Sequence, residues 1–422
     1  MRTGIRTIAL ASSLVLAGAP LLPGESLPAG DPTALGFSPE RLATMRQSLE
    51  SVVDGGQFAG LSWLVARRGR VVATGAYGWR DVEQKRPMEL DTICRIYSMS
   101  KIVTSVGALI LLEEGRLDLA DPVSRYLPEF EQMQVFTGGT AEAPLLATAN
   151  TPITVEHLLT HTAGLYYGFS VDGPLRSILE AAKLEEATTL EEYSRRAAKL
   201  PLKHQPGAAW TYGINTAILG RVIEVVAGQP LEEFLRARVF DPLQMVDTGF
   251  SVPPEKRARL ARVYEPADGG LAPLDSLPAT WVEKGAGPAL GDAGLFSTIG
   301  DYARFAQMLL NGGVLDGQRI LGRKTVELMR QNRLTDLPQP HTGSPSQGFG
   351  LGVSVVIDAG QAGSLTSPGR FGWSGAATTD CAIDPREQIM ALVFAQHFPF
   401  NDHRLMERFS NGYLQALVDA AP

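Results

Sequence analysis

Residues 92–115 read TICRIYSMSKIVTSVGALILLEEG, a short β-like run (TICRIY) that passes directly into a helix spanning about Ile96 to Glu114. Met99, Ile102, Val103, Val106, Leu109 and Ile110 recur at three- and four-residue spacing, the period of a helix with one apolar stripe. Gly115 stands where a left-handed C-cap belongs. Ser98 and Lys101 are three residues apart at the start of this helix, so both lie on one face. A serine there has the positive end of the helix dipole beneath it, which favours a developing oxyanion. A lysine enclosed beside it loses its proton more readily and can serve as a base. The spacing alone is a common accident; its position at a strand-to-helix junction makes Ser98 a candidate nucleophile. The apolar run Ile102 to Leu112 is about half the ~20 residues that cross a bilayer. Flanked by Lys101 and Glu113, it reads as a buried helix of a water-soluble protein.

On the N-terminal side, Pro39 to Val53 has helical spacing through Leu42, Met45 and Leu49. Two β-like runs follow, Gly60–Ala66 and Arg70–Tyr77, joined by Arg67-Arg68-Gly69, a hairpin signal. On the C-terminal side, Phe136 to Thr151 is rich in Gly, Ala and Thr and reads as a surface loop. Helices are expected over Thr154–Thr160, Leu179–Leu200, Asn215–Phe240, Thr298–Leu310 and Arg323–Gln331. Pro266 to Leu290 is Pro/Gly-rich with little periodicity, the mark of a functional loop. Strand character returns in Phe349–Ile357, Phe371–Ile383 and Gln388–His397, before a last helix from about Asp402 to Val418. Strands at both ends and helices between them predict an α+β fold: an antiparallel sheet flanked by helices, with a helical domain inserted. The division expected is a leader over 1–29, an α/β domain from 30–97 and 285–422, and a helical domain over 98–284.

The chain has 422 residues and a net charge of −7, which disfavours nucleic acid as a partner. Its two cysteines, Cys94 and Cys381, sit in apolar strand-like runs and are expected as buried free thiols. At the N-terminus Arg2 and Arg6 precede an uncharged Ala/Leu-rich run from Thr7 to Gly24, the pattern of a signal peptide. A periplasmic or secreted protein is expected, with no membrane contact once that segment is removed.

There is no HExxH, Walker A or dinucleotide glycine fingerprint, and Gly372-Trp373-Ser374-Gly375-Ala376 fails the GxSxG pattern at its last position. His157 and His161 are spaced i, i+4, but no carboxylate at ligand spacing accompanies them, so no metal and no cofactor is expected. Two further segments carry chemistry. Tyr212 stands in Trp210-Thr211-Tyr212-Gly213-Ile214-Asn215, just ahead of a helix. If its hydroxyl meets Lys101, the cation favours phenolate and Tyr212 can relay the serine's proton. In Trp373-Ser374-Gly375, a glycine inside a strand lets substrate approach, and the N–H of the next residue, Ala376, can face an oxyanion.

Taken in order, Ser98-x-x-Lys101, HLLTHTAGL from His157, Tyr212 with Leu219-Gly220, GDAGLFSTIGDYARFAQMLLNGG from Gly291 and the WSG triplet resemble the serine β-lactamase-related family. That family includes class C β-lactamases, DD-peptidases and family VIII carboxylesterases. The resemblance runs from about Phe37 to Ala420 and implies an active site between an α/β domain and a helical domain. It implies Ser98 as nucleophile, Lys101 as its partner, Tyr212 as general base and acid, and the N–H groups of Ser98 and Ala376 as oxyanion hole. Trp373, Ser374, Gly375 and Asn215 are then expected at the substrate. The two longer motifs are read as mainly structural. The sequence departs from class C enzymes twice: Ile214 stands where their Tyr-x-Asn has Asn, and Trp373 replaces the lysine of Lys-Thr-Gly. Losing that lysine removes a charge-assisted contact to a substrate carboxylate, and tryptophan there resembles the family VIII esterases. Arg370, three residues earlier, is a candidate replacement cation.

The function expected is hydrolysis of carboxylic esters with short acyl chains through an acyl-enzyme on Ser98, with Pro266–Leu290 and Gly138–Thr151 shaping the cleft. The rival readings are a β-lactamase or D-amino-acid peptidase, a non-catalytic penicillin-binding module, and acyl transfer to an alcohol.

Overall fold

The computed structural model describes residues 27–274, 287–337, 342 and 344–418. The proposed signal segment therefore falls almost wholly outside the described residues.

An eight-stranded antiparallel sheet is built from both ends of the chain. Numbered in chain order, its strands are β1 (Gly60–Arg67), β2 (Arg70–Asp81), β3 (Arg86–Pro87), β4 (Gln347–Phe349), β5 (Ser354–Val356), β6 (Phe371–Gly375), β7 (Thr379–Asp384) and β8 (Ile389–Ala395). Their order across the sheet is β4-β5-β6-β7-β8-β1-β2-β3. The predicted β1–β2 hairpin closes at Arg68 and Gly69, at φ +52° and +75°, a two-residue turn that matches the twist of its strands. The chain ends meet where β1 pairs β8, Leu61 opposite Ala395 through Arg67 opposite Ile389. Both central strands are buried on both faces. Leu61, Trp63 and Val65 face a cluster with α1 (Pro39–Asp54), while Leu64 and Ala66 face the larger core. Helix α1 starts as its sequence dictates: Pro39 fixes the first turn, and the Ser38 side chain accepts the Arg41 N–H.

The stretch 92–115 forms a 3-10 turn over Tyr97–Met99 followed by α2 (Ser100–Glu113). This helix is enclosed all round, every residue from Ser100 to Leu111 being buried. Its polar residues on those buried faces therefore need partners. Thr104 gives its hydroxyl proton to the Gly291 carbonyl at 2.7 Å, and Ser100 Oγ accepts the Leu295 N–H at 3.1 Å. A Cβ at Gly291 would sit 2.9 Å from Thr104, which explains a glycine there. The helical part continues with α3 (Val155–Leu159), α4 (Pro174–Ala182), α5 (Leu190–Ala197), α6 (Asn215–Ala227) and α7 (Leu231–Leu235). Then α8 (Ile299–Leu310) packs on the sheet, followed by α9 (Arg323–Met329) and, against α1, α10 (Leu405–Leu414). One buried cluster, including Ile96, Leu219, Phe234, Tyr302 and Leu392, runs from the sheet through the helical part.

Four expectations are corrected. Leu179–Leu200 is not one helix: Lys183 turns left-handed at φ +49°, and Thr189 caps a new start by accepting the Glu192 N–H. Asn215–Phe240 breaks at Gly228, at φ +72°, before Pro230, and ends in a π turn over Arg236–Phe240. Phe371–Ile383 is two strands, since Ala376 to Thr378 form the turn between β6 and β7. Phe136–Thr151 is a hairpin rather than a loop, with Gln134–Gly139 paired to Pro144–Thr148. Overlapping the start of Pro266–Leu290, a small hairpin, Tyr264–Ala267 with Gly270–Pro273, leads into residues 275–286, which lie outside the described residues.

Candidate active site

Ser98 lies in the 3-10 turn between Ile96 and α2, half-buried, and Tyr97 before it is held left-handed at φ +43°. A bulky residue at positive φ is strained and persists only where its surroundings fix it. Lys101, 1% exposed, is one turn along, and its Nζ stands 3.2 Å from Ser98 Oγ. That juxtaposition is what the spacing predicted. Two more contacts hold the amine: it donates to the Tyr167 hydroxyl at 3.0 Å and to the Asp292 carbonyl at 2.9 Å.

Tyr212 is placed differently from the conditional expectation. Its ring, not its hydroxyl, faces the lysine, with Nζ 4.8 Å from the ring centroid. The hydroxyl oxygen accepts the Trp373 indole N–H at 2.9 Å, so its own proton points elsewhere. The ring is caged by His161, Tyr167, Trp210 and Trp373, with centroids 4.9 to 5.9 Å away. His161 anchors the loop from below. It is fully buried, and its Nδ1 faces the Asn215 amide at 2.9 Å and accepts the Gly213 N–H at 3.4 Å. Burial, reinforced by the charge of Lys101, pushes His161 well below the ordinary imidazole value, so it stays neutral. His157 instead caps α3, its Nδ1 accepting the Thr154 N–H.

A cavity of about 860 Å³ opens in front of Ser98. Its walls include Tyr97, Tyr167, Phe169, Tyr212, Trp373, Ser374 and Ala376, with Arg370 and Asp380 farther round. Gly375 fits because β6 presses on the turn carrying the serine: a Cβ there would sit 2.3 Å from the Ile96 carbonyl oxygen. Ala376 follows immediately and faces the same cavity as Ser98. Ser374 donates to the Asp380 carboxylate at 2.7 Å. Burial raises Asp380 above the usual carboxylate range, against the pull of Arg370 and the Ser374 bond. Asn215, expected at the substrate, is instead fully buried at the start of α6 with its amide against His161, and it does not line the cavity. Nor does the Gln134–Thr148 hairpin line it.

A second cavity, of about 650 Å³, shares Tyr97, Tyr167 and Ala293 with the first and is walled by Leu184, Phe250, Leu290 and Phe296 among others. Sequence reasoning missed Tyr167 and Asp292. Tyr167 donates to an Asp292 carboxylate oxygen while its hydroxyl oxygen accepts a hydrogen bond from the Lys101 amine. Burial first, then the Asp292 charge, pushes Tyr167 well above the usual phenol value, so it remains protonated. The available signals were the second of two tyrosines following HTAGL and a lone acid among the small residues of GDAGL. Among the described residues no cluster of His, Cys, Asp or Glu could hold a metal ion. Among them, too, no helix is long and apolar enough to cross a membrane.

The model of the family described as Beta-lactamase matches residues 45–412. Protein Rv1367c of Mycobacterium tuberculosis is 35% identical, over 83% of this chain and 89% of its own. Esterase EstB of Burkholderia gladioli is 31% identical, over 82% and 88%. Among solved structures, EstCE1, described as a hydrolase with promiscuous acyltransferase activity, superposes with a TM-score of 0.74 at 28% identity, over 88% of this chain and 98% of that one.

Proposed function

The chain belongs to the β-lactamase family, and from that premise we propose that it is a serine hydrolase cleaving carboxylic esters of short acyl chains through an acyl-enzyme on Ser98. The observation that carries this reading is the Lys101 amine 3.2 Å from Ser98 Oγ at the floor of an aromatic-walled cavity. Ser98 Oγ attacks the ester carbonyl while its proton passes to the Lys101 amine, against which the Tyr212 ring is packed. The N–H groups of Ser98 and Ala376 hold the oxyanion. Collapse expels the alkoxide, which takes the proton, and leaves acyl-Ser98. Water repeats the sequence in reverse order of roles, releasing the acid and restoring the serine.

Esters are favoured over β-lactams because the place of a carboxylate-binding lysine is held by Trp373, whose only donor is spent on Tyr212. The named relatives EstB and EstCE1, an esterase and a hydrolase, support the same choice. Hydrolysis of p-nitrophenyl acetate, butyrate and octanoate, beside a chromogenic cephalosporin, tests it in the wild type and in Ser98→Ala. Strong ester turnover lost in the variant is the expected result. Faster cephalosporin turnover would make the protein a lactamase, and activity surviving in Ser98→Ala would remove the nucleophile.

The second cavity favours one further reading, acyl transfer to an alcohol seated there while the acyl-enzyme waits. Ester products formed when an alcohol is added to the same assay distinguish it from hydrolysis alone. The Arg2/Arg6 segment supports a periplasmic or secreted location, which N-terminal sequencing of the mature protein checks.

A further inference from the structure

We propose that Asp292, acting through Tyr167, is a positioning residue that turns the Lys101 amine toward Ser98, an inference that deepens the serine-hydrolase reading and rests on it. An amine nitrogen offers three directions besides its bond to carbon. At Lys101 one direction meets the Asp292 backbone carbonyl at 2.9 Å, which can only accept. A second meets the Tyr167 hydroxyl at 3.0 Å. That hydroxyl gives its own proton to the Asp292 carboxylate, so toward the lysine it too can only accept. Both directions therefore demand N–H groups. The third points at Ser98 Oγ, 3.2 Å away. In the state that takes the serine's proton the amine carries no charge, and so has two hydrogens and one lone pair. With both hydrogens committed, the lone pair is left facing the serine hydroxyl, ready for its proton.

The carboxylate is what fixes this arrangement. Without it, the Tyr167 hydroxyl can swing and donate to the amine, drawing the lone pair away from Ser98. The enclosure of Tyr167, which keeps it protonated, is consistent with the donor role. Asp292 is 3% exposed, and among the described residues its second carboxylate oxygen is buried with no hydrogen-bond partner. Such a group is costly to keep in a folded protein, and it sits where a charge acts on the lysine. The groups facing Lys101 are Tyr167 and His161 from the segment after α3, Tyr212 from the segment before α6, Ser98 from its own turn, and Asp292 from the segment before α8. His161 is held neutral, and Asp292 is the carboxyl group of this set.

The test uses p-nitrophenyl butyrate hydrolysis against pH for Asp292→Ala, Asp292→Asn and Tyr167→Phe. Asp292→Ala and Tyr167→Phe should lower kcat by about tenfold to a hundredfold, the scale of a misplaced catalytic group, with KM changed much less. Asp292→Asn keeps an acceptor for the Tyr167 proton and should recover most of that loss. Removing a nearby negative charge makes a proton easier to lose. The acidic limb of kcat/KM should therefore move to lower pH in both Asp292 variants and stay in place in Tyr167→Phe. Because a limb's position does not depend on how much enzyme is folded, it reads the role even in a destabilised variant. Wild-type kcat and an unmoved limb in Asp292→Ala would overturn the positioning role while Ser98→Ala stays inactive. Activity in Ser98→Ala would instead overturn the hydrolase reading itself.

Discussion

Gly375 shows how much of the site is set by a missing methyl group. A Cβ there would meet the Ile96 carbonyl oxygen at 2.3 Å and Thr379 Oγ1 at 2.2 Å, and the carbonyl belongs to the backbone that presents Ser98. Gly375→Ala should push β6 away from that turn, carrying the Ala376 N–H out of reach of an oxyanion. Overpacking of this kind costs about 1–3 kcal/mol in stability, and loss of one oxyanion donor costs about a hundredfold or more in kcat. Thermal melting and ester turnover measured together check it; an unchanged kcat would show that Ala376 takes no part. Ser98, Lys101, Trp373 and this glycine could be picked out as candidates from sequence because each sits in a motif with its own geometric logic. Tyr167 and Asp292 were not legible because their contact joins residues 125 apart, which no local spacing reports. Asn215, expected at the substrate, has its side chain turned inward to His161. One residue of offset from Tyr-x-Asn, on a helix advancing about 100° per residue, points the amide elsewhere.

Helix α8 shows the same logic one level up. Thr298 caps it by accepting the Asp301 N–H, and the Asp301 carboxylate receives the Asp247 N–H at 2.7 Å and the Thr248 hydroxyl at 2.9 Å. Burial outweighs these bonds and lifts Asp301 from the usual 3.8 to about 6. The folded state therefore binds this proton more tightly than the unfolded chain does. Its stabilising contribution is complete below about pH 3.8 and is lost as pH rises through about 6. Between pH 4.5 and 7.5 the wild type should lose about 2 kcal/mol relative to Asp301→Asn, which cannot titrate. Urea unfolding of both proteins at the two pH values measures this, and an equal gap at both would show that Asp301 does not titrate there. Element boundaries were less legible than element types. The break at Gly228 and Pro230 is written in residue types, but Lys183 adopts its left-handed turn with nothing in its side chain to announce it. The Gln134–Thr148 hairpin lies hidden in Gly, Ala and Thr because its pairing, and not its composition, makes it a hairpin.

At the scale of the whole molecule, the two halves of the sheet are joined where its first and last strands in the chain, β1 and β8, pair. The antiparallel sheet from both ends was readable because alternating strand runs flank a helical middle. That β1 and β8 lie side by side is a tertiary choice, made when two strands apolar on both faces find cover only at the centre of a sheet. One face of that centre is sealed by α1 and α10, where Phe409 and Tyr413 meet edge to face at 5.2 Å, in one buried cluster with Trp63 and Val393. Phe409→Ala should cost about 3–5 kcal/mol, the usual loss for a buried aromatic. The two thiols provide the readout. Cys94 precedes the serine turn and Cys381 lies opposite Trp373 in β7, both free and buried. Burial pushes Cys94 to about 12 and Cys381 well above its ordinary value, so neither forms a reactive thiolate in the native state. A disulfide-exchange reagent should label neither thiol in native protein and both in urea, in step with the loss of esterase activity. In Phe409→Ala the two changes should shift together to lower urea, because α10 supports the sheet on which the site is mounted. Thiol labelling that stayed at the wild-type midpoint while activity fell early would show instead that the α1–α10 layer opens independently of the catalytic strands.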